Sequence, residues 1–337
     1  MIRVSVESIR EKTMDGGGIK SRQAWSTLAS QPSWNESDEA ALLEPFTYTI
    51  SFPGKDIRGR FLEAFNAWLN VPAEKLKMIA NIVNTLHTAS LMIDDIEDSS
   101  DLRRGHPVAH KIYGVPQTIN SANYVYFLVY QQLFALRNDG LADIDKIVND
   151  ELLSLHRGQG KDIMWRDTFQ CPTEEEYISM VKQKSGGLLR IGIKLMTACA
   201  TTNKDVDYMP LINLMSVYFQ IRDDYMNLAS DEYTSTKGFA DDLSEGKFSF
   251  PVVHSIHADK SNRQVLNVLQ KRPSTPTLKK LTIEYLRNHT KSFEYTLSVL
   301  DVMETHVREE IAKLGGNKGL EALMDLYTTS AVKVQGG

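Results

Sequence analysis

The sequence predicts an all-α protein, and three observations carry that expectation. Apolar residues recur at steps of three and four along most of the chain, the alternation of half-buried strands is scarce, and helix start and stop signals separate the apolar runs. About ten to twelve helices result.

In chain order, residues 1–42 show little periodicity, contain Gly16-Gly17-Gly18 and are rich in Ser. That composition reads as a flexible N-terminal extension or linker, which leaves 43–337 as the folded domain, starting near Pro45. Pro72 precedes a long helix in which Leu76, Ile79, Val83, Leu86 and Ser90 share a face. Gly114 and Pro116 mark the next boundary. Thr173 after Pro172, with Glu176 three residues on, forms a capping box and opens a helix over 174–200. Pro210 opens the helix that ends at Asp223-Asp224. Beyond Pro273 and Pro276, the steps Leu297, Leu300, Met303, Val307, Ile311 and Leu314 give a further long helix, stopped by Gly315-Gly316. The chain shows no repeat of 20–50 residues.

Bulk properties exclude several classes. A net charge of −5 gives no general attraction to nucleic acid, so any polyanion must be held locally. The two cysteines, Cys171 and Cys199, have no metal-type spacing and read as reduced thiols of a cytoplasmic protein. The longest apolar stretch, 124–136, is broken by Gln131-Gln132 and falls short of the roughly 18 residues of a transmembrane segment. Residues 1–12 mix Arg3, Arg10 and Lys12 with Glu7 and Glu11, which suits a tail better than a targeting signal.

The chemistry is concentrated where apolar helices turn acidic. Asp94-Asp95-Ile96-Glu97-Asp98 ends one run, and Asp94 and Asp98, four apart, share a helical face. Asp223-Asp224-Tyr225-Met226-Asn227 repeats the pattern on a second helix. Clustered carboxylates repel, and a hard divalent cation such as Mg²⁺ relieves that repulsion through oxygen ligands. A merely solvated acidic helix end is disfavoured, because acids at a C-terminus oppose the helix dipole. An EF-hand loop is excluded by the absence of its glycine and alternating oxygen ligands. Basic residues are distributed as a phosphate site would need: Lys55 with Arg58, Arg103-Arg104, Lys184 beside Ser185, and Lys237 and Lys247 flanking Asp241-Asp242. Each alone is an ordinary surface charge; together they describe a site for more than one diphosphate.

These residues also carry a family resemblance. Pro53-Gly54-Lys55 with Arg58, the Asp94–Asp98 run with Arg103-Arg104-Gly105, Gly158-Gln159-Gly160-Lys161-Asp162, Lys184-Ser185, Phe219-Gln220-Ile221-Arg222-Asp223-Asp224 and Gly246-Lys247-Phe248 resemble the trans-isoprenyl diphosphate synthases. The match covers about residues 45–331. Within that family the chain is most similar to the animal and fungal type of geranylgeranyl diphosphate synthase, through Tyr113-Gly114-Val115-Pro116, Asn120-Ser121-Ala122-Asn123-Tyr124 and Trp165-Arg166-Asp167.

The resemblance implies a single-domain isoprenoid synthase fold with helices around a central apolar cavity. It implies a prenyltransferase that condenses isopentenyl diphosphate with dimethylallyl, geranyl or farnesyl diphosphate, giving mainly geranylgeranyl diphosphate. Asp94, Asp98 and Asp223 would be metal ligands for about three Mg²⁺ ions, with Asp95 and Asp224 supporting. Arg103, Lys184, Ser185, Gln220, Lys237 and Lys247 would face the allylic diphosphate, Lys184 and Lys237 acting in catalysis with the acids. Lys55, Arg58, His87 and Arg104 would hold isopentenyl diphosphate. Asn227 stands where many members have Asp, and Ser185 where Thr is frequent.

Product length depends on where the cavity ends. Ala89 and Ser90, just upstream of Asp94, are small and leave room for a chain longer than farnesyl. Tyr126, Phe127 and His156 are floor candidates by resemblance, and each could equally be core packing. A homodimer or a hexamer of dimers is implied. A terpene cyclase, the prenyltransferase domain of a fungal cyclase fusion, and a catalytically silent partner of an active synthase are the competing readings. Lys55, Arg58 and Arg104 together weigh against the cyclase, and the complete carboxylate set weighs against the silent partner.

Overall fold

Asn35 opens the Glu36–Ile50 helix in the computed structural model, which describes residues 28–31, 33–52, 54–137, 143–230 and 238–329. Its side-chain oxygen accepts the Asp38 N–H at 2.9 Å, and Glu36, Asp38 and Glu39 complement the positive end of the helix dipole. Helix α1 (Glu36–Ile50) therefore starts well before Pro45, which is buried inside it. Capping by Asn35 outweighs the weak apolar periodicity of this segment. The chain divides into two units, 1–42 and 43–337, and the site described below belongs to the second.

Next come α2 (Ile57–Leu69) and α3 (Ala73–Glu97). Ile79, Ile82, Val83 and Leu86 of α3 are wholly buried, as their spacing requires. Past its acidic end the chain makes a short hairpin of β1 (Leu102–Arg103) and β2 (His106–Pro107), with Arg103 opposite His106. Arg104 (φ 57°) and Gly105 (φ 80°) form the turn, the two positive φ angles that a two-residue hairpin needs. After α4 (Ala109–Tyr113), α5 (Val115–Arg137) packs along α3.

The centre of the fold is built by α6 (Ile144–Thr168), α7 (Glu174–Lys184), α8 (Gly187–Cys199) and α9 (Met209–Ala229). Helix α8 packs against α2, α3, α6 and α9. It buries Ile191, Ile193, Leu195 and Met196, each such side chain contributing roughly 1.5–3 kcal/mol. The chain closes with α10 (Asp241–Glu245), α11 (Phe250–Ala258), α12 (Gln264–Gln270), α13 (Pro276–Glu284), a π-helical turn Tyr285–His289, α14 (Ser292–Lys313) and α15 (Lys318–Leu326). Helix α14 lies on α9, and α15 on α2. Among the described residues there are fifteen α-helices, twelve of them nine residues or longer. The three shortest, α4, α10 and α12, are too brief for a 3.6-residue period to reveal.

The capping box forms as expected: Thr173 Oγ1 accepts the Glu176 N–H at 3.2 Å, and Glu176 Oε2 accepts the Thr173 N–H at 2.8 Å. The single helix expected over 174–200 does not. It breaks at Ser185–Gly186, where Arg190 reaches back to donate to the Lys182 carbonyl at 2.6 Å. Arg190 is itself held by buried Glu151 at 2.7 Å. The break leaves Lys184 as the last residue of α7 and Ser185 as its C-cap.

Candidate active site

At the end of α3 the acids are neutralised by cations that return from later in the chain. Asp95 is almost fully buried; Arg103 donates to its Oδ1 through Nε at 2.8 Å and through Nη2 as well. The same guanidinium reaches Asp94 Oδ2 at 3.3 Å. Asp98 caps the helix, and Arg166 of α6 donates to its Oδ1 at 2.6 Å and to the Glu97 carbonyl at 2.9 Å. That second bond satisfies a helix-terminal carbonyl and offsets the dipole penalty of the acidic end. Lys184 Nζ sits 2.7 Å from Asp162 and 3.7 Å from Asp94. Gln159 Nε2 bridges Glu97 at 2.7 Å and Asp94 at 3.3 Å.

Lys184 is delivered by backbone packing. A Cβ on Gly158 would lie 2.5 Å from the Lys184 nitrogen, so α6 and α7 touch main chain to main chain one turn before Asp162. Burial alone would lower the Lys184 pKa, but Asp162, Asp94 and Asp98 hold it above its ordinary value.

On α9, Asp224 is wholly buried and its carboxylate is saturated. Oδ1 accepts from Lys247 Nζ at 2.9 Å and Gln220 Nε2 at 3.0 Å. Oδ2 accepts from the Tyr177 hydroxyl at 2.5 Å and the Phe250 N–H at 2.8 Å. Gln220 in turn accepts from Ser185 Oγ at 2.7 Å. Asp95 and Asp224, read from the sequence as supporting acids, are each buried and held by protein donors. Asp223 is half-buried beside Asp224. Asn227 Oδ1 accepts the Asp242 N–H at 3.2 Å, fixing the start of α10. Lys237 lies outside the described residues.

The two acidic segments share one electrostatic centre. Glu245 of α10 feels Asp98 and Asp242, and Arg103 feels Glu245. Lys184 and Lys247 both feel Asp162. Burial first, and then neighbouring carboxylates, push Asp98 up to about 6 and Glu245 well above the carboxylate range. Among the described residues no three His, Cys, Asp or Glu side chains form a ready-made metal cage, because Arg103, Arg166 and Lys184 occupy the acids. Asp94, Glu97 and Asp98, with Glu245 close enough to act on Asp98 and Arg103, nevertheless offer an all-oxygen donor set, and that chemistry fits a hard divalent cation.

Arg104, the neighbour of Arg103, turns the other way. Its guanidinium lies against Gly54 and donates to the Phe52 carbonyl. Arg58 Nη1 is 2.9 Å from His87 Nε2. Burial and Arg104 push the Arg58 pKa down to about 10. Burial, Arg58, Arg104 and Arg103 hold His87 neutral, well below its ordinary value. Arg58 and Arg104 thus gather positive charge around His87, an arrangement whose chemistry suits a multiply charged anion. Lys55 is exposed on the loop beside it.

A family model described as polyprenyl synthetase matches residues 39–286. The chain belongs to the polyprenyl synthetase family. It is 54% identical to geranylgeranyl pyrophosphate synthase AN1592 of Hericium erinaceus, over 88% of this chain and 94% of that protein. Identity is 50% to a geranylgeranyl pyrophosphate synthase of Mucor circinelloides f. lusitanicus, over 88% and 95%. It is 46% to IDS-like terpene synthase 1 of Melampsora lini, over 88% and 92%.

In this polyprenyl synthetase the chain-length candidates separate. Ala89 is buried with Met92, Ala122 and Val125 between α3 and α5. Ser90 Oγ and the Tyr126 hydroxyl are 2.9 Å apart, and the His156 ring lies 6.1 Å from that of Tyr126. Phe127 is corrected: it is 69% exposed on the outer side of α5 and floors nothing within this chain. One residue on from Tyr126, a helical step of 100° carries it to another face. Sequence reasoning assigned no role to Gln159, Asp162, Arg166, Tyr177, Asp242 or Glu245. The first three lie in motifs that signalled the resemblance, and the charge of Asp162 and Arg166 inside a helix was the available clue.

Proposed function

We propose that this polyprenyl synthetase condenses isopentenyl diphosphate with dimethylallyl, geranyl or farnesyl diphosphate, giving mainly geranylgeranyl diphosphate and free diphosphate. One observation supports the reading: consecutive arginines diverge, Arg103 pairing with Asp95 and Asp94 while Arg104 donates to the Phe52 carbonyl and acts on the Arg58–His87 pair. A condensation of two diphosphates needs that division, and the names of the Hericium and Mucor relatives supply the product.

Asp94, Asp98 and Asp223 are the proposed ligands for Mg²⁺, in about three ions. When bound, the metal supplies Lewis-acid stabilisation of the departing diphosphate. Lys184, Lys247 and Arg103 offer N–H donors to its oxygens, with Ser185, Gln220 and Lys237 proposed alongside them. Asp95 holds Arg103, Asp224 holds Lys247 and Asp162 holds Lys184. Arg58, His87, Arg104 and Lys55 hold the second diphosphate. The allylic C–O bond breaks, the double bond of isopentenyl diphosphate attacks the allylic carbon, and a proton leaves to the released diphosphate. No protein nucleophile takes part. The growing chain is directed past Ala89 and Ser90 toward Tyr126 and His156.

Among the described residues no helix is long and apolar enough to cross a membrane, and Cys171 and Cys199 are free thiols, which fits the cytoplasm. A homodimer, or a hexamer of dimers, is the proposed assembly. The test is incubation with isopentenyl diphosphate, each allylic starter and Mg²⁺, with chromatography of the dephosphorylated products. Geranylgeraniol should dominate; mainly farnesol or longer alcohols would refute the product assignment. The Melampsora relative's name supports a second reading as a terpene synthase, and allylic diphosphate consumed with no isopentenyl unit incorporated would favour it.

A further inference from the structure

Arg104 occupies an awkward position for an arginine. Its φ of 57° belongs to a turn that favours Asn, Asp or Gly, so something must hold the hairpin and aim the side chain. The holding contacts come from the end of α1. The Phe52 ring stacks on His106, with centroids 3.8 Å apart and planes 18° apart. The Phe52 carbonyl accepts from Arg104, so one residue grips both the hairpin and its arginine. Tyr48 completes the grip: its hydroxyl donates to the Pro107 carbonyl at 2.8 Å, and its ring meets Phe52 at 5.0 Å and Tyr113 at 5.8 Å. A Cβ on Gly54 would stand 3.1 Å from the Arg104 guanidinium carbon, so the loop that carries Lys55 lies against the same group.

We propose that His106 is a positioning residue for isopentenyl diphosphate, acting through its stack on Phe52 to hold Arg104 and the Gly54 loop as one wall of the Arg58–His87 anion pocket. The proposal rests on the reading of that pocket as the isopentenyl diphosphate site. His106 is exposed and pairs with Arg103 only through the hairpin register, which a change of side chain leaves in place, so the influence of its ring, which stacks on Phe52, should fall on this one substrate.

The test is steady-state kinetics on the full chain, varying each substrate in turn, for wild type, His106→Ala, His106→Phe, Phe52→Leu and Arg104→Ala. His106→Ala and Phe52→Leu should raise KM for isopentenyl diphosphate about two- to tenfold, the range an aromatic pair controls. KM for farnesyl diphosphate, kcat and Tm should stay near wild type. His106→Phe should restore KM, because it restores the stack. An equal rise in both KM values, a fall in kcat with KM unchanged, or failure of His106→Phe to rescue would overturn the positioning role. An unchanged KM for isopentenyl diphosphate in Arg104→Ala would instead overturn the underlying pocket assignment.

Discussion

His87 shows how a single side chain reports the charge around it. Burial and three arginines depress its pKa far below 6.5, so the folded protein resists the proton that the unfolded chain accepts. Below about 6.5 the unfolded state therefore binds more protons, and stability falls as pH falls. The contribution is fully present above the unfolded value and is lost in acid. His87→Asn removes the titration while keeping an acceptor near Arg58, and all other groups are common to both proteins. Scanning calorimetry at about pH 7.5 and about pH 5.5 should show a smaller drop in Tm for the variant than for wild type. Equal drops would mean that His87 protonates freely in the fold. Asp94, Asp98 and Arg104 were legible in the sequence because charge interrupts an apolar period there. Tyr177 was not: an aromatic at helical spacing looks like core, and only the fold shows its hydroxyl on Asp224.

Helices were legible to the extent that their signals are local. Thr173–Glu176 and Pro210 act within one turn, and both helices start where these residues place them. The break between α7 and α8 was hidden, because Arg190 and Glu151 stabilise it from eight residues beyond Lys182 and from another helix. The approach of α6 to α7 is equally non-local and gives a direct test. In Gly158→Ala the new methyl group meets the Lys184 backbone at 2.5 Å and Gln183 Cβ at 2.9 Å. Backbone yields less readily than a flexible side chain, so the helices must separate, at a cost of about 1–3 kcal/mol. Lys184 moves with α7, away from Asp162 and Asp94. Urea denaturation should register the lost stability, and kcat should fall with it. A variant of wild-type stability and kcat would show that the two helices part without disturbing the lysine.

For the molecule as a whole, the residue that failed as a cavity floor points to assembly. Ile119, Phe127 and Phe134 fall on one side of α5 by helical spacing, and Phe127 and Phe134 remain 69% and 53% exposed. Aromatic side chains standing in water on a long helix are costly unless covered, and a homodimer covers both copies of the same face with one contact. Such a face supplies the large aromatic anchors that dominate stable interfaces, where losing one costs about 2 kcal/mol or more. Phe127→Asp puts a charge at the centre of the row and should weaken association roughly thirtyfold or more. Sedimentation velocity at micromolar protein should find wild type at twice the chain mass or a higher multiple, and the variant as monomer. The acidic centre and the Arg104–Arg58–His87 cluster are each built from side chains of a single chain, so the monomeric variant should keep its metal-dependent binding of allylic diphosphate. An unchanged oligomer in Phe127→Asp would place the interface elsewhere, and a monomeric wild type would remove it.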